Sequence, residues 1–384
     1  MSRKILVSAG EASGDFYASL VVEEIRRRIP SASFSGCTGP RLRAAGVRTV
    51  VDSASLAVVG LLEVVSHLPR IYGEYRKLIR AAEEWRPDVA ILTDSPDFHL
   101  RAARRLHQLG VPVVYLVAPQ AWAWRKGRIP QMRRTIHRLL CIFPFEEEFF
   151  LRQGVRAIYI GHPLAGLVAP ALGKDEFFRK HRLAAGRPLI AILPGSRKGE
   201  ALRHLPALLD ASERLYRERA VNLVLPASVT TGVDFFRKFV GSAPVQVIEG
   251  ESWDAMAHAD LALAASGTVT VEAALLGTPM VTFYRVSAAS WIAGKLLVRV
   301  PFYSMVNLIA GRRIVPELMQ SQMTGRALAD EAARLLGDSA ARTEMCAGLA
   351  EVRRKLSQSS PLSAPARAAL IVQDILEGQF AHVS

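Results

Sequence analysis

The sequence has few of the residues that mark secreted or metal-stabilised proteins. Its 384 residues include three cysteines, Cys37, Cys141 and Cys346, which lie far apart and lack the paired spacing of zinc sites and disulfide frameworks. The apolar run before Gly10 is too short for a signal peptide. We therefore predict a cytoplasmic protein with reduced cysteines. A hydrophobic fraction of 50% with 22% charged residues is typical of a globular chain.

Several catalytic and nucleotide-binding motifs are also missing. The sequence has no Asp-x-Asp triplet, no His-Glu-x-x-His, no Gly-x-Ser-x-Gly, no Walker sequence and no Gly-x-Gly-x-x-Gly fingerprint. If a diphosphate leaves during a reaction of this protein, helix ends and arginines must therefore balance its charge in place of a divalent ion. We expect neither a metal nor a cofactor.

No acidic residue lies between Asp97 and Glu146, although the chain has a net charge of +14 and a pI near 10.1. One face of the N-terminal half should therefore be strongly positive and bind nucleic acid, an anionic membrane surface or phosphorylated substrates. The charge alone does not choose among them. The cations of this stretch are Arg101, Arg104, Arg105, Arg125, Lys126, Arg128, Arg133, Arg134 and Arg138.

Short apolar runs alternate with helical patterns through most of the chain. This rhythm predicts an α/β fold with two Rossmann-like domains in tandem, each built on a mainly parallel sheet. We place the domains at residues 1–165 and 166–345, followed by a helical tail at 346–384. The predicted strands are Lys4–Ala9, Ser33–Cys37, Asp88–Thr93, Val113–Val117, Leu139–Phe143 and Ala157–Ile160, then Leu189–Leu193, Val221–Leu225, Val245–Ile248, Leu261–Ala265 and Pro279–Phe283.

One segment departs from this rhythm. Leu56–Leu68 is apolar nearly all round, and four cations follow it between residues 70 and 80. It is shorter than the roughly 20 residues that span a bilayer, which leaves two interpretations, a buried helix or a membrane-facing segment at 56–80. In the second interpretation the basic residues meet lipid phosphates. The residues that would enter the lipid are Leu56, Val58, Val59, Leu61, Leu62 and Val65.

Two carboxylates follow the predicted strand Asp88–Thr93, at the sheet edge where open α/β proteins bind ligands. Asp94 stands at the strand end and is placed to reach a hydroxyl group. Pro96 suits the first turn of a helix, so Asp97 should hold the helix start and the shape of the loop. We therefore predict different roles for the two carboxylates.

A loop at residues 10–15 follows the first strand and opens the first helix, where the backbone of such folds approaches ligands. Glu11 and Asp15 would repel a pyrophosphate, so sugar hydroxyl groups are the better partner. The alternative is a capping turn in which Ser13 or Asp15 accepts hydrogen bonds from helix amides.

The second half contains two strand-to-helix turns made of small residues and one arginine. Both direct free amides and a positive helix end towards the same rim of the sheet, which predicts a diphosphate cradle. Glu272, one turn into the second helix, would face the ribose diol. The cradle residues are Gly195, Ser196 and Arg197 in the first turn, and Ser266, Gly267 and Thr268 in the second.

Two further features have more than one explanation. Trp122 and Trp124 lie beside the basic cluster, so their rings could form a nucleic-acid platform or part of the core. His162 precedes Pro163 at the predicted interdomain joint, where a lone histidine is more often a hydrogen-bonded hinge residue than a catalyst.

Taken in order, these stretches closely resemble the lipid-A-disaccharide synthases. That glycosyltransferase family has the GT-B architecture, in which two Rossmann-like domains face each other across a cleft. So many ordered matches are more specific than any single motif. They are Gly10–Asp15, Gly39–Arg41, Leu56–Val65, Asp94–Phe98, Trp122–Arg125, Phe143–Glu146, Ile160–His162, Leu193–Arg197, Ala265–Thr268 with Glu272, Tyr284–Arg285, and Asn307–Leu308 with Ala310–Arg312.

The resemblance implies an inverting transfer from UDP-2,3-diacylglucosamine to the 6-hydroxyl of 2,3-diacylglucosamine 1-phosphate, with release of UDP and no metal. It implies catalytic roles for Asp94, as the base, and for Glu11. Arg285 and Asn307 belong to motifs that the family places around the nucleotide. The substrate-binding residues would be Ser13, Asp15, Asp97, Trp124 and Arg125.

Acylated substrates must be drawn partly from lipid, which favours the membrane-facing interpretation of Leu56–Leu68. The resemblance also implies a homodimer, a C-terminal helix that returns to the N-terminal domain, and no nucleic-acid partner. We expect peripheral attachment to the inner face of the inner membrane of a Gram-negative bacterium. Two alternatives stay open, another UDP-sugar enzyme of the same architecture, such as a UDP-N-acetylglucosamine 2-epimerase, and a basic RNA-binding protein.

Overall fold

The computed structural model describes residues 3–56, 61–228, 231–288, 291, 294, 300–357 and 361–378, without the side chains of 61–68. The chain forms two compact units, residues 1–163 together with 359–384, and residues 164–358. Each unit is an α/β structure with one parallel sheet, so the predicted fold class is confirmed.

The sheet of the first unit has seven strands in the order β3-β2-β1-β4-β5-β6-β7. Apolar strands alternate with amphipathic helices in the chain, and this alternation produces parallel pairing with helices on both faces. The strands are β1 Lys4–Ala9, β2 Ser33–Thr38, β3 Arg48–Asp52, β4 Val89–Thr93, β5 Val113–Leu116, β6 Arg138–Cys141 and β7 Ala157–Tyr159. The helices are α1 Ala12–Arg28, α2 Pro40–Ala44, α3 Leu61–Trp85, α4 Pro96–Gln108, α5 Ile129–Thr135 and α6 Pro144–Arg152.

The sheet of the second unit has six strands in the order β10-β9-β8-β11-β12-β13. The strands are β8 Leu189–Leu193, β9 Asn222–Ala227, β10 Gln246–Glu249, β11 Leu261–Ala265, β12 Met280–Tyr284 and β13 Glu317–Met319. The helices are α7 Lys174–Lys180, α8 Lys198–Glu218, α9 Val233–Val240, α10 Ser252–His258, α11 Thr268–Leu276, α12 Met305–Ala310, α13 Gly325–Gly337 and α14 Ser339–Ser357.

In each sheet the order of the strands reverses at one point, the topological switch point. In the first unit this switch point lies between β1 and β4, and in the second it lies between β8 and β11. All residues of β4, β8 and β11 are buried, because helices cover both faces of these central strands. Open α/β sheets bind ligands outside the carboxyl ends of the strands at such a point. The loops singled out in the sequence follow these four strands.

Two strands, β3 and β13, are absent from the sequence prediction. Both are edge strands, and most residues of β3 have exposed side chains, so this strand lacks the apolar run that marks a central one. β13 has only three residues, which is too few for a recognisable pattern. Position at the edge of a sheet therefore explains both omissions.

The last helix, α15 Ala364–Leu376, belongs to the first unit and packs against α1. Ala368, Ala369 and Val372 of α15 are fully buried, and the predicted return of the C-terminal helix is confirmed. The predicted tail at 346–384 is divided by the structure, because α14, with Leu349 and Val352 buried, lies in the second unit.

The segment predicted to face a membrane enters α3, which is 25 residues long and contains Pro69. Leu56 is half-buried and packs against the core of the first unit. Val58 and Val59 lie outside the described residues, as do the side chains of Leu61, Leu62 and Val65. Among the described helices, none combines the length and the hydropathy that a membrane span requires.

Candidate functional site

Asp94 and Ser95 turn the chain at the end of β4 in a left-handed conformation. Their φ angles are 54° and 34°, in a region that costs a residue with a side chain about 1–3 kcal/mol. The turn directs the Asp94 carboxylate to the loop after β1, where Oδ1 accepts a hydrogen bond from the amide of Gly10 at 2.8 Å and Oδ2 from that of Glu11 at 3.0 Å. This carboxylate therefore joins the two loops of the first switch point.

Gly10 and Gly14 have no side chain, which makes room for the Asp94 carboxylate. A Cβ atom on Gly14 would lie 1.6 Å from Asp94 Oδ2, and one on Gly10 would lie 2.3 Å from Ser95 Oγ. Neither distance is compatible with a side chain. Close approach to the end of β4 therefore explains both glycines of the 10–15 loop.

The protonation of Asp94 is set mainly by burial. Its side chain is 12% exposed, and burial raises its pKa to about 7, against the opposing effect of the Gly10 and Glu11 amides. The charge of nearby Glu11, an exposed residue, raises the pKa further. A carboxyl group with this pKa exchanges protons near neutral pH, as a general base must.

The backbone carbonyl of Asp94 is held by two buried side chains. Tyr115 Oη donates to it at 2.6 Å, and His99 Nδ1 lies 3.1 Å from it. Because a carbonyl only accepts, Nδ1 carries the proton, and Nε2 accepts from Ser8 Oγ at 2.7 Å. Burial lowers the pKa of His99 to about 4, which keeps this neutral tautomer. No local pattern in the sequence indicates His99, because Ser8 lies 91 residues away from it.

Asp15 caps a helix. It is 1% exposed, and its carboxylate accepts hydrogen bonds from the amides of Gly39, Arg41 and Leu42 at 2.7, 2.8 and 3.3 Å. These amides belong to the start of α2, so Asp15 adopts the capping role, although for a different helix from the one it lies in. Ser13 is exposed on the first turn of α1. The predicted substrate-binding roles of both residues stay predictions.

Asp97 forms a surface cluster with two arginines and a tryptophan. Its carboxylate contacts Arg125 Nη1 at 2.9 Å and Arg128 Nη2 at 2.5 Å. Both guanidinium groups lie over the Trp124 ring, at 4.3 and 5.7 Å from its centroid. Burial raises the pKa of Asp97, but the two arginines outweigh it and hold the pKa below its usual value. The cluster brings three predicted substrate-binding residues together and adds Arg128.

The two tryptophans have different surroundings. Trp122 packs against the core, and its Nε1 donates to Glu146 Oε1 at 3.0 Å. Glu146 is almost fully buried, which raises its pKa to about 8, while Trp122 and the amides of Phe143 and Ile142 oppose this shift. Trp122 is therefore part of the interior, whereas Trp124 belongs to the surface cluster.

His162 lies at the end of the first unit, packed beside the rings of Tyr17 and Phe143 at centroid distances of 6.1 and 5.5 Å. It is 2% exposed, and burial lowers its pKa to about 3. These surroundings make it a packed neutral residue close to the boundary between the units.

A second buried histidine, His204, anchors the cradle loop after β8. His204 Nδ1 donates to Pro194 O at 2.8 Å, and its Nε2 accepts from the amide of Arg285 at 3.0 Å. Ser196 O accepts from Thr231 Oγ1 at 2.7 Å. The backbone of the loop is therefore anchored, while the side chains of Ser196 and Arg197 are exposed.

The second cradle loop follows β11. Ser266 Oγ donates to Tyr303 O at 2.8 Å, and Gly267 and Thr268 are exposed where α11 begins. The N-cap residues, Gly267 for α11 and Arg197 for α8, provide no side-chain hydrogen bond that caps their helices. Both helix ends lie at the carboxyl edge of the second switch point, an arrangement that suits an anion.

The other predicted nucleotide-binding residues have partners within the chain. Glu272 accepts from Trp253 Nε1 at 2.8 Å, and burial raises its pKa. The guanidinium of Arg285 donates to carbonyls of residues 320 and 323. Asn307 is fully buried, and its amide makes four hydrogen bonds, two donated and two accepted, to Ile314, Val315 and Glu317. Asn307 thus fastens α12 to β13, and a direct contact with nucleotide stays a prediction for all three residues.

In the described part of the chain, no group of three or more His, Cys, Asp or Glu side chains is placed to hold a metal ion.

Two Rossmann-like units, each with candidate ligand-binding loops at its switch point, define a protein of the GT-B fold class. The S. aureus MnaA–UDP co-structure matches with a TM-score of 0.66 and 12% identity, covering 99% of this chain and 98% of that one. The calicheamicin glycosyltransferase CalG4 matches with a TM-score of 0.62 and 18% identity, covering 99% of both chains. At these identities the likeness concerns the fold alone.

The sequence identifies the family within this class. Residues 5–372 match the lipid-A-disaccharide synthetase family. The curated lipid-A-disaccharide synthase of Solibacter usitatus is 74% identical over 381 residues, covering 99% of this chain and 100% of that relative. That of Koribacter versatilis is 42% identical over 379 residues, covering 97% and 99%. The chain therefore belongs to the lipid-A-disaccharide synthase family and is a glycosyltransferase, as its motifs predict.

We expect Gly14→Ala to lower kcat by about 100-fold, because its methyl group would displace the Asp94 carboxylate by an ångström or more. Gly73→Ala is the matched control, since Gly73 is also helical and, apart from its chain neighbours and its own helix backbone, no described atom lies within 4 Å of its added Cβ. Steady-state kinetics of both variants checks this. Equal activity of the two would contradict the close packing at Asp94.

Asp15→Ala should lower the free energy of unfolding by about 2 kcal/mol, since it removes the acceptor of three amides at the start of α2. Denaturant unfolding followed by circular dichroism measures the change. A variant of normal stability that has lost substrate affinity would instead assign Asp15 to the binding site.

Proposed function

We propose that this chain transfers the sugar of UDP-2,3-diacylglucosamine to the 6-hydroxyl of 2,3-diacylglucosamine 1-phosphate and forms a β-1,6 disaccharide with release of UDP. Family membership along almost the whole chain supports this reaction. The observation that carries the mechanism is the Asp94 carboxylate, which is buried at the first switch point with a pKa of about 7.

In this mechanism Asp94 acts as the general base. The ionised carboxylate takes the proton of the acceptor hydroxyl while that oxygen bonds to the anomeric carbon of the donor, and the bond from that carbon to the diphosphate breaks. The carboxylate accepts the amides of Gly10 and Glu11 and a hydrogen bond from the Ser95 side chain, which leaves one of its four acceptor positions for the proton. A single displacement inverts the anomeric centre and requires one base.

The leaving diphosphate is stabilised by the cradle of the second unit. The N-terminal ends of α8 and α11 supply amides and partial positive charge, and Arg197 supplies a full charge. Glu272 would accept hydrogen bonds from the ribose hydroxyls. Arg285 and Asn307 would act indirectly, through their hydrogen bonds to Gln320 and Glu317. With these groups, the transfer proceeds without a divalent ion or a cofactor.

The acceptor is held by side chains of the first unit. Glu11 and Ser13 are exposed beside Asp94 on the 10–15 loop and suit sugar hydroxyls. The cluster of Asp97, Trp124 and Arg125 adds the face of the Trp124 ring and the positively charged guanidinium of Arg125. These groups would bind the acceptor sugar and its phosphate.

Acylated substrates place the reaction at a lipid surface. We assign the enzyme to the inner face of the inner membrane of a Gram-negative bacterium, attached peripherally to anionic lipid and assembled as a homodimer. The excess of basic residues supports attraction to such a surface. Family membership favours this function over the 2-epimerase and RNA-binding alternatives.

Asp94→Asn should lower turnover by at least about 100-fold, because the amide cannot take the acceptor proton, while the affinity for UDP stays unchanged. Asp330→Asn is the matched control, with the same change at an exposed carboxylate of α13 that belongs to neither proposed binding site, and should retain full activity. Disaccharide formation from labelled acylated substrates with excess chelator measures both. Near-normal turnover of Asp94→Asn would exclude it as the base, and strict metal dependence would overturn the metal-free transfer.

The pH dependence of kcat/KM follows from the raised pKa of Asp94. Only the ionised base is active, so kcat/KM should fall about tenfold per pH unit below pH 7 and level off above it. Asp97 does not contribute, because its pKa is lowered and it stays ionised across this range. A profile that is flat between pH 5 and 8, measured with both substrates limiting, would contradict this assignment.

A further inference from the structure

A cavity of about 350 Å³ lies between α4 and α5 of the first unit, and the proposed reaction does not use it. We name it the α4–α5 cavity. Every side chain around it can donate a hydrogen bond, and none is acidic. The lining residues are Arg104, His107, Gln108, Gln131, Arg134 and Thr135.

The two arginines of the α4–α5 cavity have uncompensated charge. Among the residues that the structure describes, neither Arg104 nor Arg134 forms an ion pair. The next residue, Arg105, contrasts with them because its guanidinium contacts Glu83 at 2.7 Å. The absence of acidic residues between Asp97 and Glu146 leaves no nearby carboxylate in the sequence to balance the pair. Like charges around one cavity repel each other unless an anion enters it.

Hydrogen bonds fix the two walls of the cavity to each other. Gln131 Nε2, on α5, donates to Leu100 O, on α4, at 2.6 Å. Arg128, just before α5, contacts Asp97 on the first turn of α4 at 2.5 Å. The cavity walls are therefore held in place before any ligand binds, which reduces the entropic cost of binding.

The cavity is separate from the catalytic edge. α4 begins at that edge with Pro96, and Arg104 follows eight residues later, roughly 12 Å along the helix at a rise of about 1.5 Å per residue. The neighbouring lining residue His107 lies a further turn away. A ligand in this cavity would therefore leave Asp94 accessible.

From these observations we propose that the α4–α5 cavity binds a phosphate group. Guanidinium groups recognise phosphate oxygens through paired, charge-assisted hydrogen bonds, and the side-chain amides of Gln108 and Gln131 supply further donors. The volume is at the lower end for small-molecule sites, so it fits a phosphate with a small organic substituent. Phosphate groups of this size occur in small solutes and in lipid headgroups, and vesicle binding separates these two sources. The proposal does not depend on the proposed transferase reaction.

Binding of inorganic phosphate to the full chain, measured by calorimetry with UDP present to occupy other anion sites, tests the proposal. Arg104→Gln and Arg134→Gln should each weaken binding by at least about tenfold. Arg105→Gln is the matched control, with the same change of charge at the next residue of α4, and should bind as the unaltered chain does. The arginines are exposed, so all three variants should keep the normal unfolding temperature.

Cosedimentation with phosphatidylcholine vesicles that contain phosphatidic acid separates the two sources. If the cavity takes a lipid headgroup, Arg104→Gln and Arg134→Gln reduce vesicle binding several-fold and Arg105→Gln does not. If it takes a soluble phosphate, vesicle binding is the same for all three variants while phosphate binding differs. Equal phosphate affinity of the three variants and the unaltered chain, or an equal loss in Arg105→Gln, would overturn the proposal, because general charge and not the cavity would then account for binding.

Discussion

The contact between the Asp94 carboxylate and the amides of Gly10 and Glu11 is the interaction on which the first unit's site depends. It links the loops after β1 and β4, the two strands that flank the switch point. The contact requires a left-handed turn at Asp94 and glycine at positions 10 and 14. Burial raises the pKa of the same carboxylate to about 7, so the groups that position it also prepare it to accept a proton.

Both units use a buried histidine to hold the backbone at the end of a central strand. In each, a buried neutral histidine donates from Nδ1 to a backbone carbonyl at the end of a central strand, His99 to Asp94 and His204 to Pro194. In each, Nε2 accepts a hydrogen bond, from Ser8 Oγ or from the amide of Arg285. Burial lowers the pKa of both histidines, that of His99 to about 4, which favours the neutral ring that each hydrogen-bond pattern requires.

Local patterns in the sequence predict the fold well, and the site only in part. The bounds of β8 and β11 follow from their continuous apolar runs, and the glycine-containing loops after them mark the cradle. The sequence does not indicate His99 and His204, because the partners of their Nε2 atoms lie 91 and 81 residues away and no short spacing marks them. Prediction is limited in the same way for Asp15. An aspartate near a helix start indicates a cap, but only the fold shows that the capped helix is α2.

A titration of the Asp94 carboxyl carbon in the folded chain, followed by carbon-13 NMR with Asp94→Asn to assign the signal, measures whether this carboxyl group has a raised pKa. A midpoint near pH 7 is predicted, because burial outweighs the two amide hydrogen bonds. A midpoint near the ordinary aspartate value of about 4 would contradict the account, because the carboxylate would then be too weak a base to be prepared for catalysis in this way.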